Sequence, residues 1–346
     1  MRRLIIIIII VLLVPIHVNA TEFHAPVVPE SGRAFMPNNT ESFTDGLLSI
    51  IHECIDTLRP AAATAAGICI SIVGMVILCS IVKTFPGAGG KSVELICSLL
   101  IGILLMETSG ALIALASNTA LDISNYGKLL FPVLTAALAA VGGVTKSTAL
   151  YVGTVAFDTA LCSCISNVII PLVYIFLCVS IASSALGNSY FDQIKRFLKW
   201  IVTWGLKIVL YVFSGFMTIT GVISGSTDAT ALKATKLAIS GMVPVIGGLL
   251  SDASETVLVS ASVVKNAAGV YGLLAVIAIA VGPFIKIGIQ YLLLKGTSGL
   301  CAALAGKDSC KLIEDFAEAM GFLLALIGTT SLLQLISIVC FMKGVV

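Results

Sequence analysis

The chain predicts an all-α polytopic membrane protein, and three observations carry that reading. Its 346 residues are 58% hydrophobic and only 11% charged, with a mean hydropathy of +1.10. A soluble domain carries about 25% charged residues, so this one lacks the polar surface to face water all round. Runs of 20 or more mostly apolar residues recur from Ala61 to the C-terminus, each long enough to cross ~30 Å of hydrocarbon. Beyond residue 86 only four prolines occur, Pro132 with Pro171 and Pro244 with Pro283, each pair 39 residues apart and the pairs offset by 112. Internal duplication in an apolar chain is common in conduits and transporters and uncommon in soluble enzymes.

The elements follow in order. Residues 1–20 read as a secretory signal: Met1-Arg2-Arg3, an apolar core from Leu4 to Val14, and a small-residue cleavage site at Val18-Asn19-Ala20. An uncleaved first helix is the alternative. Residues 21–60 form an extracytoplasmic segment in which Phe43, Leu47, Ile50, Ile51, Cys54, Ile55 and Leu58 make one apolar face at helical spacing. Such a helix lies on the membrane surface or packs against the bundle. The membrane domain, 61–346, contains six spans at about 61–82, 93–117, 164–186, 200–224, 268–294 and 318–342.

Two stretches between spans, 129–160 and 237–266, open on an apolar proline-containing turn and then become small and polar. Neither half suffices for a crossing, so both read as re-entrant-type helical hairpins, bearable only where protein or a water-filled cavity shields the backbone. With the N-terminus outside, the inner loops carry Lys83, Lys91, Lys195, Arg196, Lys199, Lys295, Lys307 and Lys311. The outer ones carry Lys128, Lys233 and Lys236, a modest inward bias. Trp200 and Trp204 suit an interfacial anchor. A shift of 112 residues superposes the prolines and also Val133 on Val245, Leu161 on Leu273 and Ile165 on Ile277. The repeat copies are then about 61–172 and 173–284, with final spans to 346. Parallel and inverted relations of the copies both fit.

The charges within apolar stretches are the candidate functional groups. Glu107 lies near the middle of the second span. A carboxylate there costs at least ~2.5 kcal/mol, so it is expected to face protein or water beside a partner, as a lining or proton-carrying group or as a structural hydrogen bond. Lys207 and Lys286 sit nearer the inner ends and are expected to snorkel. Asp252 and Glu255, at i and i+3 after the second proline turn, share one side of a helix beginning near Ser251, where capping alone would explain Asp252. Lys265-Asn266 at the far end of that hairpin needs water or an acid. Lys146 and Asp158 lie in comparable surroundings in the first copy. These hairpin groups either line a permeation path or form a partner interface.

Glycines such as Gly67, Gly74, Gly215, Gly221, Gly321 and Gly328 permit close helix contact. Eight of the ten cysteines lie in or beside apolar runs, as small hydrophobes. The three histidines all precede the first span. No cofactor or metal site is expected, and nothing points to an enzyme. Gly87-Ala88-Gly89-Gly90-Lys91-Ser92 ends like a phosphate loop but lacks its first glycine and follows no strand. The charge of +2 suggests no nucleic-acid surface.

One stretch is more specific. Gly241-Met242-Val243-Pro244-Val245-Ile246-Gly247-Gly248, Ser251-Asp252-Ala253-Ser254-Glu255-Thr256-Val257 and Ser260-Ala261-Ser262-Val263-Val264-Lys265-Asn266-Ala267-Ala268-Gly269 together resemble the stage III sporulation protein AE family of endospore-forming bacteria. The likeness is sharp over roughly 234–272 and looser over 61–346. The resemblance implies a membrane subunit, structural or pore-contributing, of a channel or secretion-like complex in the mother-cell membrane around the engulfed forespore. Its implied partners are the other membrane subunits of the stage III sporulation A complex and, indirectly, a forespore membrane protein. Through the family motif, Pro244, Asp252, Lys265 and Asn266 become the favoured site residues; no catalytic residue is implied. A stand-alone secondary transporter with a midplane site formed by the two hairpins is the alternative reading.

Overall fold

Hydrocarbon offers no hydrogen bonds to a bare backbone, so long apolar runs must be helical, and the fold is built from them. The computed structural model describes residues 26–37, 43–83, 85, 91–141, 144–187, 189–242, 247–304 and 307–343, with side chains described except at 91, 92, 94, 189, 220–260 and 303–308. A short turn of helix, α1 (Glu30–Arg33), precedes α2 (Phe43–Lys83), α3 (Lys91–Ala140) and α4 (Val144–Cys164). A π-helical turn (Ile165–Ile169) joins α4 to α5 (Ile170–Leu186), and α6 (Ser189–Met242), α7 (Gly247–Leu304) and α8 (Lys307–Met342) follow. No strand occurs among the described residues. Among the described residues, six helical stretches are long and apolar enough to cross a membrane. The chain has the architecture of a multi-pass membrane protein.

Helices exceed the predicted spans. At about 1.5 Å per residue α3, with 50 residues, is about 75 Å long, far more than the ~30 Å of a hydrocarbon core. The predicted second span and the first half of the 129–160 hairpin are therefore one continuous helix. The second half of that stretch lies in α4, which begins at Val144 and runs through the π turn into the predicted third span. The amphipathic face near residue 50 belongs to the same helix as the first span, and Ile50 and Cys54 pack against Leu274 and Ala278. The helix holding Asp252 starts at Gly247, four residues before the expected Ser251. The four prolines differ in setting: Pro132 and Pro283 lie inside helices, Pro171 is in the first turn of α5, and Pro244 lies outside the described residues.

The π turn has a local cause. Pro171 lacks an N–H and its ring crowds the carbonyl four residues back, so the preceding turn widens. The Ile170 N–H donates to the Ile165 carbonyl, one residue further back than in an α-helix. Buried Leu161, Ile165, Ile169 and Val173 recur at four-residue intervals through this turn, so the inward stripe keeps facing the bundle on both sides of it.

At the centre lies α8, which touches α3, α4, α5, α6 and α7. Its aromatic contacts are Phe322 edge-on to Phe176 at 5.3 Å and Phe341 stacked on Phe131 at 5.7 Å. Lipid tails are as apolar as these rings, so packing contact rather than escape from water holds such helices together. Glycine allows the closest approach between α4 and α6: a Cβ at Gly153 would lie 2.0 Å from the Phe216 ring. Residues 26–37 dock on the outside, with Gly32 against Ile279, Phe35 over Gly282, and the Ser31 hydroxyl donating to Asp122 at 2.8 Å. Gly153→Ala is expected to cost about 1–3 kcal/mol by overpacking, and Phe216→Leu in the same chain to recover part of it. Thermal unfolding of the purified protein in detergent measures both.

Candidate functional site

Asp158 lies on the inward side of α4, 1% exposed, between α3 and α8. One carboxylate oxygen accepts from the Ser124 hydroxyl of α3, and the other accepts from the Gln334 amide of α8 at 2.8 Å. Gln334 is wholly buried, and glycine makes room for it: a Cβ on Gly127 would come within 2.7 Å of its amide. Lys128 lies close enough to act on Asp158 electrostatically. The Gln334 carbonyl oxygen and the hydroxyls of Thr154, Tyr126 and Ser331 have no hydrogen-bond partner among the described residues. Thr154 is one turn from Asp158 and Ser331 one turn from Gln334, so both share the faces that carry the network. A buried carboxylate between three helices, with acceptor and hydroxyl capacity left over, is chemically suited to hold a proton, a water or a small cation.

A second polar centre ties α6, α7 and α8 together at the end of the bundle where α6 and α8 begin. Lys195, 6% exposed, donates to Asp315 at 2.6 Å and pairs with Asp192 at 3.1 Å. Asp192 also receives Lys311 at 2.5 Å and the Ser183 hydroxyl at 3.3 Å. Lys199 pairs with Glu318 at 2.6 Å, and Lys295 with Glu314 at 2.7 Å. A cleft of about 350 Å³ opens between Arg196, Lys199, Lys311 and Glu318. The sequence alone presents these lysines as loop charges that set orientation, without their acids. The signal was there: Asp192, Lys195 and Lys199 share one helical face, as do Lys311, Glu314, Asp315 and Glu318, and the two sets are complementary.

Of the residues singled out in sequence, the structure joins few. Asp158 stands in the network above. Lys146 and Lys265 are buried, 7% and 5% exposed, and close enough to repel each other; Asn266 beside them is exposed. Glu107 stands apart from these groups. It is exposed on the outer side of α3 and forms no ion pair among the described residues. The inward face of α3 at this level is taken by Leu105 and Ser109, and the helical turn carries residue 107 to the opposite side. The side chains of Asp252 and Glu255, and Pro244 altogether, lie outside the described residues. Among the described residues no cluster of three or more His, Cys, Asp or Glu could hold a metal ion.

A family profile described as Stage III sporulation protein AE matches residues 38–344. The chain belongs to the stage III sporulation protein AE family. It is 23% identical over 236 residues to Stage III sporulation protein AE of Bacillus subtilis (strain 168), a match covering 68% of this chain and 59% of that relative. The chain thus spans less than two thirds of that relative's length. No solved structure matches. The stage III sporulation protein AE match includes all six apolar helices, Asp158, Gln334 and the α6–α8 ion pairs.

The buried pair gives a direct test. Lys195→Met leaves Asp315 desolvated and unpaired, an expected loss of about 3–5 kcal/mol, whereas Lys195→Met with Asp315→Leu recovers most of it. A double-mutant cycle on thermal unfolding reads the coupling; additive losses would show the pair to be energetically idle.

Proposed function

We propose that the protein is a membrane subunit, structural or pore-contributing, of a channel or secretion-like complex that links mother cell and engulfed forespore and is required for late forespore development. The match to the stage III sporulation protein AE family along nearly the whole chain carries this reading. In it, residues 1–20 are a signal peptide, 21–60 are extracytoplasmic, and the membrane domain from 61 onward sits in the mother-cell membrane surrounding the forespore, beside other stage III sporulation A subunits. The hairpin stretches 129–160 and 237–266 are taken as duplicated, re-entrant-type elements on the path or at a subunit contact, with Lys146, Asp158, Pro244, Asp252, Glu255, Lys265 and Asn266 as the groups concerned. Glu107 belongs to a subunit contact in this reading, because its exposure on α3 removes it from the bundle interior.

The Asp158 network favours a second reading, a stand-alone secondary transporter. A buried carboxylate beside a Gln334 oxygen that has no partner among the described residues resembles the polar centre that a coupling ion or proton requires.

Deleting the gene is expected to leave engulfment complete while late forespore gene expression stalls; normal spores would overturn the assignment. In the deleted strain, Asp158→Ala, present in the membrane at normal level, is expected not to restore sporulation. Purification of the tagged protein separates the readings. Other membrane subunits co-purify with a complex component, and a transporter comes away alone.

A further inference from the structure

Charges on the outside of a helical bundle, within apolar stretches, have no partner in lipid and are kept where another surface covers them. Glu107 on α3 and Lys207 on α6 are such residues: both are exposed, and neither forms an ion pair among the described residues. Each stands in a continuous outward stripe. On α3 the stripe runs Ile96, Leu100, Ile103, Glu107, Ala111 and Ala114, at steps of three and four that keep one side of a helix in line. Beyond the carboxylate it narrows to alanine, with half-buried Gly110 alongside, so another helix can approach closely there.

The outward stripe on α6 has the opposite shape. It carries Tyr190, Phe197, Trp200, Trp204 and Tyr211, exposed by 71, 60, 56, 48 and 66%, and includes both tryptophans of the chain. Aromatic rings that merely anchor a helix collect at the two membrane surfaces. These are spread over about 32 Å of helix, the depth of a whole crossing. They are also organised: Phe197 and Trp200 stack with centroids 6.3 Å apart, and the Lys207 ammonium lies 6.0 Å from the Trp204 ring. Rigid aromatic groups gathered on one exposed face are typical of the core of a protein contact.

The bulky basic stripe and the small acidic stripe cannot meet within one chain, because α4, α5 and the central α8 lie between α3 and α6. Ser98 near the start of α3 and Ser184 near the end of α5 bond to each other, so α3 and α6 begin at the same end of the bundle and run in the same direction. Along its own helix Glu107 is about 24 Å from that end and Lys207 about 27 Å, an offset the long lysine stem can absorb. We propose that copies of this chain associate head to tail in the membrane, the aromatic α6 face of one seated on the small-residue α3 face of the next, with Lys207 paired to Glu107 across the contact. A contact between two different faces repeats from copy to copy, so it closes into a ring when the rotation allows. The proposal concerns self-association alone and stands or falls apart from any role in transport.

Full-length chains carrying two different tags, co-expressed and reconstituted in lipid nanodiscs or vesicles, provide the test. Wild-type copies are expected to co-purify. Glu107→Lys alone and Lys207→Glu alone are each expected to lower the co-purified fraction about tenfold, a polar interhelical contact being lost and a like-charge pair gained. Mixing the two variants, or combining both substitutions in one chain, restores opposite charges at every contact and is expected to restore association. Unchanged thermal unfolding of each variant keeps a loss of folding from mimicking the result. Wild-type copies that remain monomeric in lipid, single variants that associate like wild type, or a mixture that stays apart would each overturn the proposal. Copies that ignore one another while these stripes capture a different membrane subunit would also overturn it, assigning the surfaces to that subunit.

Discussion

Hydrocarbon offers no hydrogen bonds, so a polar atom set among apolar helices can be satisfied only from within the protein or from whatever the protein holds. The simplest solution is local: the hydroxyls of Thr119, Thr135, Thr159, Ser180, Thr330 and Ser337 donate to the carbonyl one turn back in their own helix. Asp158 and Lys195 have no such option. The Asp158 carboxylate needs donors, which come from α3 and α8, and the Lys195 ammonium needs anionic partners, Asp192 on its own helix and Asp315 on α8. Those two demands decide which helices sit together, with α3, α4 and α8 around Asp158, and α6 and α8 around Lys195.

The central place of α8 follows from this. It contributes Gln334 to one polar centre and Asp315 to the other, nineteen residues apart and so about 28 Å along the helix. Between them its inward positions are apolar or small, Phe322, Leu323, Leu326, Ile327 and Thr330, and pack on every side. A helix pinned at two depths cannot slide or rotate without unpairing buried charge at one of them. Apolar packing alone, which tolerates sliding, would not fix that register.

Much of the fold could be read from the chain. Period and length of the apolar runs gave six crossings, because a bilayer imposes both. Helix boundaries were less legible. The polar stretch Gly142-Gly143-Val144-Thr145-Lys146-Ser147 looked too hydrophilic to extend a span, yet Lys146 is buried inside the bundle and α4 begins within it. The second partners were illegible. Gln334 is 176 residues from Asp158 and Asp315 is 120 from Lys195, and nothing in either local sequence names the other. Glu107 shows the converse case. Its cost requires protein or water beside it but does not say which side of the helix it takes, and Leu105 and Ser109 occupy the inward one.

By itself, then, the sequence determined the solvent, the helical class, the number of apolar crossings and the family motif, since each depends on composition or on residues close together in the chain. Tertiary structure alone decided which polar groups meet, which face of each helix turns inward, and which charges are left outside. Those outcomes depend on the azimuth of one helix against another. A single widened turn at Ile165–Ile169 is enough to reset that azimuth, and it is fixed only when all the helices pack together.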